Sequence, residues 1–125
     1  MAVINVTYGA GHDTFTLTVG TAPTTPTSYA GGAPTASLSG ENKKVLTLSA
    51  ENATKVFYVV SDSAAAIGST GITNEVSGTI TLTTVDHDGK YIHVIAQDAN
   101  GYSAEKVWQI SATDPSTTEC TITPQ

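Results

Sequence analysis

The chain contains no arginine, and charged residues make up only 13% of its 125 residues, with five Lys against eleven Asp and Glu. The formal net charge of −6 argues against a nucleic acid or an anionic membrane surface as the partner, because both attract cationic proteins. Long apolar runs are also missing, and no stretch approaches the roughly 20 apolar residues that a membrane helix needs. We therefore expect a soluble globular domain whose partners are other protein subunits, with no nucleic acid and no membrane.

Cysteine occurs once, at Cys120, so no disulfide can form within the chain and the fold does not depend on an oxidising compartment. The N-terminal residues lack the basic segment, apolar core and cleavage site of a signal peptide. If Met1 is the native start, we expect a protein that is not secreted by that route.

Residues 88–103 are the most informative segment. Within it Ile92, Val94 and Ala96 alternate with Tyr91, His93 and Ile95. This period of two predicts a strand, which Asp88-Gly89 precedes and the turn at Asn100-Gly101 closes. We expect the first set to face a core and the second to face away from it, so a charge introduced at His93 should cost less than one at Val94.

The same alternation recurs between turn signals spaced about 8–12 residues apart, which predicts an all-β fold. The predicted strands lie near residues 35–39, 44–50, 54–61, 77–84, 90–97 and 103–111. Two further runs, 2–8 and 14–19, predict an N-terminal hairpin around a five-residue loop. Residues 20–34 are rich in Pro, Thr and Gly and predict a linker or extended arm.

The sequence does not decide the secondary structure of two short segments. Ala64–Ile67 fits either a single helical turn or part of an edge strand, and Cys120-Thr121-Ile122 fits either an added strand or disorder. The predicted core consists of Leu46, Leu48, Val56, Tyr58, Val60, Ile80, Leu82, Ile92, Val94 and Ala96, completed by Trp108 with Ile110 or by Val107 alone.

The segment Tyr91-Ile-His-Val-Ile-Ala-Gln-Asp98, followed by Ala99-Asn-Gly-Tyr-Ser103, resembles a strand and turn of bacterial immunoglobulin-like (Ig-like) modules. The segment Lys55-Val-Phe-Tyr-Val-Val-Ser-Asp-Ser63 is similar to their third strand. The resemblance implies an Ig-like β-sandwich over residues 35–112, with an N-terminal hairpin and extended arm over 1–34 and a Thr-rich tail over 113–125.

Candidate chemistry is sparse. Asp86, Asp88, Asp98 and Asn100 have the oxygen ligands of a calcium site, but they fall in two loops at opposite ends of one strand. His12, His87 and His93 have no metal-ligand spacing to one another. No nucleophile elbow accompanies the serines. We expect no enzyme activity, metal or cofactor.

The expected function is that of a non-enzymatic structural or decoration protein on the surface of a bacteriophage virion, which is what Ig-like domains there commonly are. Its partners would be protein subunits of a capsid or tail. The alternatives are an extracellular module of a bacterial cell-surface or carbohydrate-active protein, with host-surface glycans as partners, and a subunit of an extracellular filament. The predicted assembly contacts, on β-prone segments that offer free edges, are Ile4, Val6, Tyr8, Phe15, Leu17 and Val19.

Overall fold

The computed structural model of the chain describes residues 2–7, 14–19 and 28–125. The first two segments form strands β1 (Ala2–Thr7) and β2 (Thr14–Val19), which pair antiparallel as a sheet of their own. The predicted hairpin is thus confirmed in its strands, while its loop, with Tyr8, lies outside the described residues.

The remaining strands are short, and most are bounded by the predicted turns. They are β3 (Thr35–Ser39), β4 (Val45–Ser49), β5 (Lys55–Ser61), β6 (Asn74–Glu75), β7 (Ile80–Thr81), β8 (Tyr91–Asp98), β9 (Gly101–Tyr102), β10 (Lys106–Ser111) and β11 (Thr121–Pro124). A 3-10 turn at Glu41–Lys43 and a four-residue helix α1 (Thr84–His87) complete the described elements. The predicted all-β class is confirmed.

Two antiparallel sheets carry the core. One has the strand order β3-β4-β7, and the other has the order β11-β10-β8-β5-β6, with β9 paired to the end of β8. Their facing side chains form one apolar cluster, which Ala112 and Cys120 join from the C-terminal segment. The buried members of this cluster that lie in strands are Leu46, Leu48, Ile92, Val94, Trp108 and Ile110. Leu82, which directly follows β7, is buried with them. The predicted core is therefore correct, with Trp108 and Ile110 as the contribution of β10.

The outer face of the larger sheet departs from the prediction. His93 is 0% exposed and Ile95 is 4% exposed, although alternation places both on the side away from the core. The chain after β5 supplies the cover, because the Ser63 carbonyl oxygen lies 2.8 Å from His93 Nε2. Ile72, in the same connection, is also buried. Alternation turns His93 away from the core, but the connection after β5 buries it, so the smaller cost expected for a charge at His93 than at Val94 loses its basis.

The predicted strand over 77–84 is shorter than expected. Only Ile80–Thr81 pairs as β7, and the Oγ1 of Thr83 then accepts a hydrogen bond from the Asp86 backbone N–H and caps α1. An N-cap of this kind begins a helix and so ends the strand. Over Ala64–Ile67 the chain is neither helix nor strand, and the tail forms strand β11 against β10. In the described part of the chain no helix has the length and apolarity to cross a membrane.

Candidate functional site

The hairpin carries the predicted assembly contacts. Residues opposite each other in an antiparallel pair share one face of the sheet, and successive pairs alternate between faces. One face collects the pairs Ala2–Val19, Ile4–Leu17 and Val6–Phe15, and the other collects Val3–Thr18, Asn5–Thr16 and Thr7–Thr14. The first set, named here the apolar face of the hairpin, contains five of the six predicted contact residues. The sixth, Tyr8, lies outside the described residues.

A second candidate site was not anticipated as a cluster. It lies on the outer face of the larger sheet, where His93 Nδ1 is 3.2 Å from Glu105 Oε2 and His93 Nε2 is 2.8 Å from both Ser61 Oγ and the Ser63 carbonyl oxygen. A carboxylate and a carbonyl oxygen can only accept hydrogen bonds. Both ring nitrogens of His93 thus lie within hydrogen-bond distance of acceptors, and the ring bridges Glu105 and Ser63.

Glu105 also accepts hydrogen bonds from the connection after β5, residues 62–73. Its carboxylate accepts the backbone N–H of Gly68 at 2.8 Å and that of Ile67 at 3.0 Å. Burial by itself would raise the pKa of Glu105, but these two N–H donors and His93 together hold that pKa below its ordinary value. The pair thus links β8 and the start of β10 to the segment that covers them.

Ser61, His93 and Glu105 have the spatial order of a Ser-His-Glu triad, but not its chemistry. The histidine of a triad accepts the serine proton on Nε2. Here the Ser63 carbonyl oxygen also lies 2.8 Å from Nε2, and the Ser61 hydroxyl donates to that same carbonyl at 2.9 Å. We therefore interpret these residues as a structural network that holds the covering segment in place.

Acid should weaken this network. A group whose pKa is depressed by folding contributes stability that is complete above its unfolded value, about 4.3 for Glu, and that is lost as the pH falls through the folded value. We expect Glu105→Gln to be less stable than the native chain at about pH 5, where the Glu105 carboxylate is ionised in both the folded and the unfolded chain. The difference should shrink below about pH 4, as urea titrations at about pH 5 and at successively lower pH values can measure. A difference that stays the same down to about pH 3 would contradict the assignment.

The aspartates considered for calcium instead serve backbone and hydroxyl donors. Asp88 Oδ1 accepts from the Ala112 N–H at 2.9 Å and from Thr113 Oγ1 at 3.0 Å. Asp98 likewise accepts from the N–H groups of its own turn. Among the described residues no group of three or more His, Cys, Asp or Glu side chains could hold a metal ion.

Among the described residues, two aromatic side chains belong to the core or lie against it. Trp108 is buried in the core and Tyr58 packs against it, while Tyr102 is exposed on β9. A shallow groove of about 270 Å³ lies beside the β4–β5 turn, where Lys55 and Glu75 form an exposed ion pair of 3.8 Å. Its apolar lining consists of Leu48, Ala50, Ala53, Val56 and Val76. It offers no stacked aromatic surface for a sugar.

Comparison with protein-family models, with curated proteins and with solved structures found no match for this chain.

Proposed function

We propose that this chain is a non-enzymatic structural protein of a bacteriophage virion, in which the hairpin docks on a lattice of other protein subunits and an Ig-like sandwich is displayed outward. The observation that carries the proposal is the apolar face of the hairpin. An isolated two-stranded hairpin is only marginally stable in water. Within the described residues β1 and β2 pair with no strand of the two larger sheets, so a partner that covers this face would stabilise them.

The strand order supports the Ig-like part of the proposal. In Ig-like sandwiches the first, second and fifth strands lie in one sheet, and the third, sixth and seventh lie in the other. Here β3, β4 and β7 share one sheet, while β5, β8 and β10 are consecutive neighbours in the other. In that scheme β6 corresponds to an extra edge strand beside β5.

A single substitution in the hairpin tests the docking. Leu17→Asp places a carboxylate on the apolar face, and we expect it to weaken binding to partner particles by about two orders of magnitude, since burying one leucine contributes roughly 1.5–3 kcal/mol. Thr16→Asp, on the opposite face, is the matched control and should bind as the native chain does. Both variants should keep the native unfolding midpoint, because the proposal places the hairpin outside the sandwich.

The binding assay is co-sedimentation with particles assembled from the products of genes that neighbour the one encoding this chain. Location among capsid or tail genes, together with loss of binding in Leu17→Asp alone, supports the proposal. Equal binding by both variants would overturn the docking role of the apolar face. A long reading frame of repeated modules around this segment would instead favour a bacterial surface protein.

A further inference from the structure

Hydrogen bonds hold the last residues of the arm against one end of the sandwich before β3 begins. The Ala30 N–H donates to Asp98 Oδ2 at 2.8 Å, and the Gly32 N–H donates to the Glu51 carbonyl oxygen at 2.7 Å. Asp98 ends β8, and Glu51 lies in the turn between β4 and β5. The last residues of the predicted linker are therefore held by two turns that are far apart in sequence.

Those two turns also contact each other. The Thr54 N–H donates to the Gln97 carbonyl oxygen at 2.8 Å, and Thr54 Oγ1 donates to the same oxygen at 2.9 Å. Residues 29–32, 50–54 and 97–101 thus form one end of the sandwich, named here the arm pole.

Asp98 serves the turn and the arm with separate oxygens. Its Oδ1 accepts from the backbone N–H groups of Asn100 at 2.7 Å and Gly101 at 3.1 Å, whereas its Oδ2 accepts from Ala30. The Ala30 N–H is the main reason that the pKa of Asp98 is below its ordinary value. Burial opposes that lowering, and the N–H groups of the turn add to it.

The path of the arm over the pole is tightly packed at Gly31. A Cβ at this position would lie 2.5 Å from the Tyr29 hydroxyl oxygen and 2.8 Å from the Glu51 carbonyl oxygen. The Tyr29 hydroxyl in turn donates to the Gly32 carbonyl oxygen at 2.6 Å. Only a residue without a side chain fits here without displacing the arm or the turn.

We infer that Asp98 is the clamp that fixes the direction in which the arm leaves the sandwich, so that the arm pole is the end of the domain that faces the docking partner. The orientation of the pole rests on the proposed function, whereas the clamp is a property of the isolated chain. The ten steps from Val19 to Tyr29 span at most about 35 Å. Residues 30–32 are held on the sandwich, and the chain that links them to the hairpin is short. The sandwich can therefore occupy only a limited range of positions around a docked hairpin.

Asp98→Asn tests the clamp in the full chain. The asparagine oxygen can still accept from the turn, but its NH2 group cannot accept from Ala30. We expect amide hydrogen exchange at Ala30 to rise about tenfold, as the loss of one hydrogen bond to a charged group implies. The matched control is Asp114→Asn, because the Asp114 carboxylate accepts from the Ser116 and Thr117 hydroxyl groups of its own turn and not from the arm. The control should leave exchange at Ala30 unchanged.

Gly31→Ala is an independent variant that displaces the same contact by steric clash, and it should raise exchange at Ala30 and Gly32 while the β8 amides stay protected. Unchanged exchange at Ala30 in Asp98→Asn would overturn the clamp, whatever the variant does to particle binding. If Asp98→Asn frees the arm but Leu17→Asp still binds particles, the clamp stands and the docking role of the hairpin fails.

Discussion

Replacing Val94 with aspartate should unfold the sandwich or lower its free energy of unfolding by about 4 kcal/mol or more. The Val94 side chain is completely buried between the two sheets, where the new carboxylate would carry a large desolvation cost. Its cross-strand neighbours are Tyr58 of β5 and Lys106 of β10. Urea unfolding followed by far-ultraviolet circular dichroism measures the effect.

Ile95→Asp separates two hypotheses about the outer face. Alternation alone makes Ile95 an outward residue and predicts that the variant folds normally. Because the side chain is 4% exposed, we expect Ile95→Asp to cost several kcal/mol as well. Gln109→Asp, at an exposed position of β10, is the control and should change stability by less than about 0.5 kcal/mol. Native-like stability of Ile95→Asp would show that the connection does not cover this face.

Glu105→Ala should lower the free energy of unfolding by about 3 kcal/mol. The substitution removes the partner of the buried His93 ring and leaves the N–H groups of Ile67 and Gly68 without their acceptor. The measurement is equilibrium unfolding in urea at pH 7, with hydrogen exchange at Ile67 and Gly68 as the local readout.

An exposed ion pair supplies the control for Glu105. Glu75 pairs with Lys55 at 3.8 Å, and both side chains are about half exposed, so Glu75→Ala should cost less than about 1 kcal/mol. If both glutamate variants lose similar amounts of stability, the His93 network does not hold the covering segment. Rapid exchange at Ile67 and Gly68 in Glu105→Ala, with the β8 amides still protected, would place the loss in that segment.

The environment of His93 differs from the one that alternation suggested, because the side chain is buried and hydrogen-bonded. A carboxylate at position 93 would face Glu105 and the Ser63 carbonyl, both of which are hydrogen-bond acceptors. His93→Asp therefore joins the destabilising substitutions, contrary to the prediction from alternation. The residue that explains this, Glu105, precedes β10 and carries no periodic signal that relates it to His93.

Local patterns in the sequence were enough to define most strands. The period of two, with Gly, Asn and Asp at the turns, correctly located β3, β4, β5 and β8, because a pleated strand and its turns depend on neighbouring residues. The same alternation identified the core face of β8, and it placed Phe15, Leu17 and Ile4 among the candidate contacts of the hairpin. The paired register then brought those candidates to one face.

Only the tertiary structure decided which side chains meet across the chain. Ser61, His93 and Glu105 come together through strand pairing and through the path of the chain after β5, and no local pattern encodes that path. The Asp98–Ala30 contact likewise joins residues 68 positions apart. Alternation predicts which way a side chain points from its strand, but the burial of that side chain depends on which other segments pack against it. For this reason local sequence patterns were enough to predict the strands and the core. Only the fold showed that the outer face is covered and where the arm contacts the sandwich.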